Sequence, residues 1–303
     1  MKYENFLTEV KECVAKLCPD NIVRIEKILK NNSYELDGLI IMREGAEAAP
    51  AIYLNGYFND YISGCSIENI AEKIVEFDSK SRMDISIDVN EYGNFKIMRK
   101  RIVYKLINFE KNSTLLNKVP HRKYLDFAIV YLCVVKETNN SCATWVITND
   151  FLKIWNVDED ELFETASENT CCEMPVVVKS MPEIIKELMQ DTYKKEIQDY
   201  YDDNIDESSR MYVVTNIQKL FGACTILYPD VLNDFAVQHG NFYILPSSIH
   251  EVIFVPDDGK ICPDELRNMV QEVNRTQVQV YEFLSDEVYY YNAQAKELRI
   301  LNK

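Results

Sequence analysis

Glycine and proline are scarce in this chain, with eight and nine among 303 residues, so low-complexity linkers and fibrous repeats are excluded. No run of about 18 consecutive apolar residues occurs, and no membrane-spanning helix or membrane partner is expected. The opening MKYENFLTEVKECV has no basic start followed by an apolar core, which predicts no secretory signal and a cytoplasmic location. Cations are also in short supply. Lys and Arg total 33 against 49 Asp and Glu, a net charge of −16. That balance opposes binding to phosphate backbones, so no nucleic-acid partner is expected and the acids read as a solvated surface. Only three histidines are present, His121, His239 and His250, too few for a histidine-rich metal site. There is no phosphate-loop GxxxxGK[ST], no GxGxxG, no HExxH, no EF-hand loop and no GxSxG elbow, and no cofactor is expected.

Cysteine is present but unpatterned. Nine cysteines, an odd number without a CxxC pair, do not form a disulfide framework. Adjacent Cys171 and Cys172 are awkward ligands for one zinc ion, so all nine read as free thiols in a reducing compartment, with no metal.

What remains is a well-patterned α+β sequence. Tyr3, Phe6, Leu7, Val10, Val14 and Leu17 fall at helical spacing, and Pro19 stops that helix. IVRIEKIL (22–29) alternates, 36–42 and 51–54 are β-like, and turn signals between the three suggest an antiparallel meander, while Ser66 caps a second apolar stripe of Ile67, Ile70, Ala71, Ile74 and Phe77. A helix is predicted over 91–109, with Met98, Ile102, Leu106 and Phe109 inward and Lys96, Arg99, Lys100, Arg101 and Lys105 on its other faces, where neighbouring acids are expected to pair with them. YLDFAIVYLCVV (124–135) reads as a strand buried on both faces and central to its sheet. Asp158 with Glu161, and Ser180 with Glu183, look like capping boxes. The acid-rich 190–210 reads as an exposed connection. Strands are expected at 211–216, 224–227, 242–245, 251–255, 288–291 and 298–301, with helices opening at Pro229 and Pro263. The fold class is thus α+β in two lobes dividing at Val119-Pro120. Residues 1–119 carry a small antiparallel sheet with helices, and 120–303 a larger mixed sheet with helices.

The densest polar chemistry is SSIHE (247–251). Ser247, Ser248, His250 and Glu251 supply the hydroxyl, imidazole and carboxylate that nucleophilic catalysis uses. A polar turn between two strands explains the same residues and is the preferred reading. Arg275, at a helix end, is the charged residue expected to contribute to a ligand site with Ser247, Ser248 and His250. Asp257-Asp258-Gly259 reads as a hairpin turn.

YLNGYF (53–58), RIVYKLINFEKN (101–112), YPDVL (228–232), LPSSIHE (245–251) and VNRTQV (273–278) together resemble the bacterial domain-of-unknown-function family 5688. The resemblance covers nearly the whole chain and implies a stand-alone intracellular bacterial protein, with no activity to carry over. Two functions stay open. One is a non-enzymatic binding or regulatory protein with a protein or small-molecule partner, which is preferred. The other is a hydrolase built on Ser247, Ser248, His250 and Glu251.

Overall fold

The three-and-four spacing of the first segment does produce a helix, Tyr3–Leu17, which buries Phe6, Val10 and Val14 and leaves Leu17 exposed. In the computed structural model, residues 2–45, 49–81, 89–138, 141–190, 211–246 and 248–301 are described. They form two units, Met1–Ile87 and Asp88–Lys303.

In the first unit, β1 (Ile22–Leu29), β2 (Glu35–Met42) and β3 (Ala51–Tyr53) make an antiparallel sheet in that order. Helices Tyr3–Leu17, Leu54–Ile62 and Ile67–Ser81 supply Phe6, Val10, Val14, Leu54, Ile70, Ala71 and Ile74 to a core shared with Leu39, Ile41 and Ile52. Asn55-Gly56-Tyr57 lies inside the second of these helices. One buried charge interrupts the apolar β2. Asp37 accepts from Tyr3 Oη at 2.9 Å and pairs with Lys27 Nζ at 2.8 Å, so its carboxylate is fully partnered.

The second unit holds two sheets. The smaller joins β4 (Ile102–Asn108), β5 (His121–Tyr124), β6 (Phe127–Thr138) and β7 (Ser141–Val146), with β6 bonded to each of the others. The larger has six strands in the order β13-β12-β10-β11-β9-β8. These are β8 (Val176–Ser180), β9 (Tyr212–Asn216), β10 (Phe242–Leu245), β11 (Val252–Pro256), β12 (Tyr289–Asn292) and β13 (Glu297–Ile300). Phe127 of β6 stacks on Tyr289 of β12 at 5.1 Å, within one core that also takes Ile129, Tyr131, Phe242, Ile244 and Phe254.

Several expectations are corrected. Every pairing among the described residues is antiparallel, so the large sheet is not mixed. The division falls after Ile87 rather than at Val119-Pro120, because β4 bonds β6 from Ile102↔Cys133 to Asn108↔Phe127 and so belongs to the second unit. The helix expected over 91–109 is replaced by two four-residue helices, Val89–Tyr92 and Phe95–Met98, and the 3-10 turn Arg99–Arg101, followed by β4. Residues four apart share a face of a strand as well as of a helix, and the β-branched Ile102, Val103 and Ile107 favour the strand. Ile102, Tyr104 and Leu106 point into the main core, whereas Val103 and Ile107 fill two smaller clusters on the other face. The central strand begins at Phe127, since Tyr124 ends β5 and Leu125, at φ 55°, turns the hairpin. Residues 224–227 are a buried 3-10 turn, Gly222–Leu227, not a strand. Asp257-Asp258-Gly259 leads from β11 to a helix, its two aspartates accepting from Gly259 N and Lys260 N. One capping box forms in full, Ser180 exchanging hydrogen bonds with Glu183, whereas Asp158 caps its helix from one side, accepting from Glu161 N at 2.9 Å. The connection expected at 190–210 lies, beyond Gln190, outside the described residues.

Cys13, Cys18, Cys65, Cys133, Cys171, Cys172, Cys224 and Cys262 are free thiols, and no metal-ligand cluster occurs among the described residues. Burial pushes the Cys133 and Cys224 thiols up to about 12, so both stay protonated at neutral pH. No described helix is long and apolar enough to cross a membrane.

Candidate binding site

Ser247 lies outside the described residues, and Ser248 is buried. Ser248 forms an isolated bridge with Phe283, and its Oγ donates to Glu251 Oε1 at 3.0 Å while accepting from His250 N at 2.9 Å. Both bonds close the turn before β11. The imidazole of His250 serves a different contact: Nδ1 accepts from Phe221 N at 3.3 Å, and the ring stacks on Phe221 at 5.9 Å. Its Nε2 lies 3.8 Å from Glu282 Oε1. Burial holds the His250 pKa below its ordinary value, against the opposing pull of Glu282 and Glu251. With Nδ1 accepting, the neutral ring carries its proton on Nε2. Hydroxyl and carboxylate therefore meet, but the ring is engaged elsewhere, and no base-nucleophile pair forms between His250 and Ser248.

Arg275 belongs to a separate place. The last helix, Pro263–Thr276, starts with proline in its first turn and buries Leu266, Arg267 and Val270, whereas Met269 and Val273 are exposed. Arg267 bonds Asp264 at 2.8 Å and the carbonyl of Leu301 at 2.7 Å, so this cation fixes the helix to the chain end. Near the helix end, Asn274 Nδ2 donates to Ser285 O at 2.9 Å and Asp286 Oδ1 at 2.7 Å. This tie holds the returning segment beside the helix.

Between them is an open cleft of about 370 Å³. Gln271, Asn274 and Arg275 line one side, Val278, Val280, Phe283 and Asp286 the other, and Lys111 closes it. Lys111 sits on the 3-10 turn Glu110–Asn112 after β4, with its ammonium 3.7 Å from the Phe283 ring centroid. Asn108 secures that turn, accepting from Lys111 N at 2.9 Å and donating to Leu284 O at 2.9 Å. Arg275 is exposed and makes no ion pair among the described residues. Asn274 Oδ1 is buried and accepts no hydrogen bond among the described residues. The cleft thus combines a guanidinium unpaired among the described residues, an apolar wall and amides, a set suited to a small anion with an apolar body.

Of the residues expected to form one site, Arg275 lines the cleft, while Ser248 and His250 are not among its lining residues. The link is indirect: Ile249 N donates to Glu282 O, and Phe283 faces the cleft. Lys111 and Phe283 carried no sequence signal, because their meeting depends on a contact across 176 positions, from Asn108 to Leu284. His239 packs on Tyr212 and Phe235, and His121 Nδ1 lies 3.1 Å from Val119 O, both structural settings.

An α+β chain with a cleft lined by an arginine, amides and an apolar wall defines a class only broadly. The chain belongs to a family of unknown function, DUF5688, whose sequence model matches residues 3–293. No curated protein and no solved structure matches it.

Proposed function

We propose that this protein works by binding rather than by covalent catalysis, taking a small anionic ligand with an apolar body into the cleft of the last helix. The observation that carries this reading is Arg275, a cation without an ion-pair partner among the described residues, on the wall of a cleft that also holds Val278, Val280 and Phe283. Guanidinium pairs with carboxylate or phosphate through two parallel hydrogen bonds, while the Phe283 side accommodates apolar surface. The hydroxyl of Ser248 supports the same reading, since its bonds to Glu251 and His250 N hold a turn.

The test is a thermal-shift screen of small aromatic and aliphatic carboxylates and phosphates, repeated on Arg275→Ala. Ligands of the cleft should lose about tenfold or more in affinity, whereas the unliganded variant melts close to the parent because the side chain is exposed. Ligands that bind the variant equally well would place the site elsewhere. Ester hydrolysis by the parent that is abolished by Ser248→Ala would replace the binding reading with the hydrolase.

A further inference from the structure

Lys96, Arg99, Lys100 and Arg101 lie on the short helix Phe95–Met98 and the 3-10 turn Arg99–Arg101, and all four are exposed. In a chain of net charge −16 such a group is expected to gather carboxylates. It does not: none of the four forms an ion pair among the described residues, although Arg122, Lys153 and Lys179 each do. The backbone that presents them is fixed. Asn94 caps the helix by accepting from Lys96 N at 3.1 Å, Met98 is buried in the core, and Asn169 Nδ2 donates to Arg99 O at 2.6 Å and Ile102 O at 2.8 Å.

Apolar surface adjoins these charges. Ile97 on the same helix is 40% exposed, and Phe95 packs on Trp155 at 5.7 Å. Trp155 donates through Nε1 to Tyr92 O at 2.6 Å, and Ile154, next to it in sequence, is 58% exposed. Trp145 and Phe151 complete the aromatic cluster, 4.4 Å apart.

We propose that this turn is a docking site for an acidic segment of a protein partner, with carboxylates on Lys96, Arg99, Lys100 and Arg101 and an apolar side chain against Ile97 and Phe95. The proposal is independent of the cleft. Charge complementarity selects the occupant: the four cations have no ion-pair partner among the described residues, and rigid presentation lowers the ordering cost of binding. Size argues against nucleic acid, because the turn extends roughly 10 Å, enough for two or three phosphates rather than six to ten, and a longer polyanion meets a chain of net charge −16. A membrane surface is disfavoured as well, since elements of four and three residues provide no amphipathic helix to lie in the interface.

The experiment is fluorescence anisotropy of the full chain with a labelled hexaglutamate peptide ending in phenylalanine, at about 20 mM salt to limit screening. The variants are Arg99→Glu with Lys100→Glu, a second pair Lys96→Glu with Arg101→Glu, and a charge-matched control, Lys11→Glu with Lys16→Glu, exposed on the first helix. Circular dichroism verifies folding of each. Binding by the parent that weakens about tenfold or more in either folded turn variant and less than about twofold in the control supports the site. Failure of the parent to bind, or equal weakening in turn and control variants, overturns it. So does tighter, turn-dependent binding of oligothymidylate of equal charge or of phosphatidylserine vesicles.

Discussion

At the scale of single residues, His250 shows how position overrides chemical promise. Its ring sits in a part-buried slot, accepting from Phe221 N and flanked by Glu282, Glu251 and, more weakly, Lys105. The slot holds the imidazole neutral, with a folded-state pKa below the ordinary one. As pH falls below about 6.5 the unfolded chain takes up a proton that the folded chain refuses, so stability drops until the folded ring itself titrates. Urea unfolding at pH 7.5 and 5.5 should show the parent losing more stability over that interval than His250→Gln, which keeps a side-chain acceptor but cannot titrate. Equal losses would mean that the ring does not carry the effect. The sequence showed the hydroxyl, imidazole and carboxylate but not their directions. Ser248 Oγ turns to Glu251 because the bend before β11 brings those two together, and such a bend is not written in residue identities alone.

At the scale of elements, legibility followed periodicity. The helices Tyr3–Leu17 and Pro263–Thr276 were readable from an apolar stripe at helical spacing, and the meander β1 to β3 from the alternation of β1 and the turn residues between its strands. β4 was misread because spacing by four satisfies two periods, and Gly222–Leu227 because a wholly buried turn looks like a wholly buried strand. That turn depends on its glycine. A Cβ on Gly222 would fall 2.1 Å from Thr215 Oγ1, 2.4 Å from His250 O and 2.9 Å from Asn216 N, and two of these are backbone atoms that cannot rotate away. Gly222→Ala should therefore cost about 3 kcal/mol in chemical denaturation, the upper range for overpacking. A loss below about 0.5 kcal/mol would show that β9 and the turn move apart freely.

At the scale of the whole molecule, Met1–Ile87 and Asp88–Lys303 each own a core, the first built on Phe6, Leu39 and Ile74 and the second on β6 and the six-stranded sheet. The sequence revealed two lobes but not their border, since the pairing of β4 with β6 could not be read from either strand alone. Each unit expressed separately should give a cooperative thermal transition by far-ultraviolet circular dichroism; a fragment that lacks one would show that its core is insufficient alone. The aromatic cluster beside the basic turn bears on how such unfolding is observed. The chain has two tryptophans, and Trp145 and Trp155 both belong to the second unit, 6.2 Å apart. Tryptophan emission is therefore a built-in reporter on the second unit, blind to the first. Their proximity makes the near-ultraviolet dichroic signal a coupled one, sensitive to the mutual tilt of two rings. A fluorescence midpoint that differs from the far-ultraviolet one would measure the unequal stability of the two units within a single intact chain.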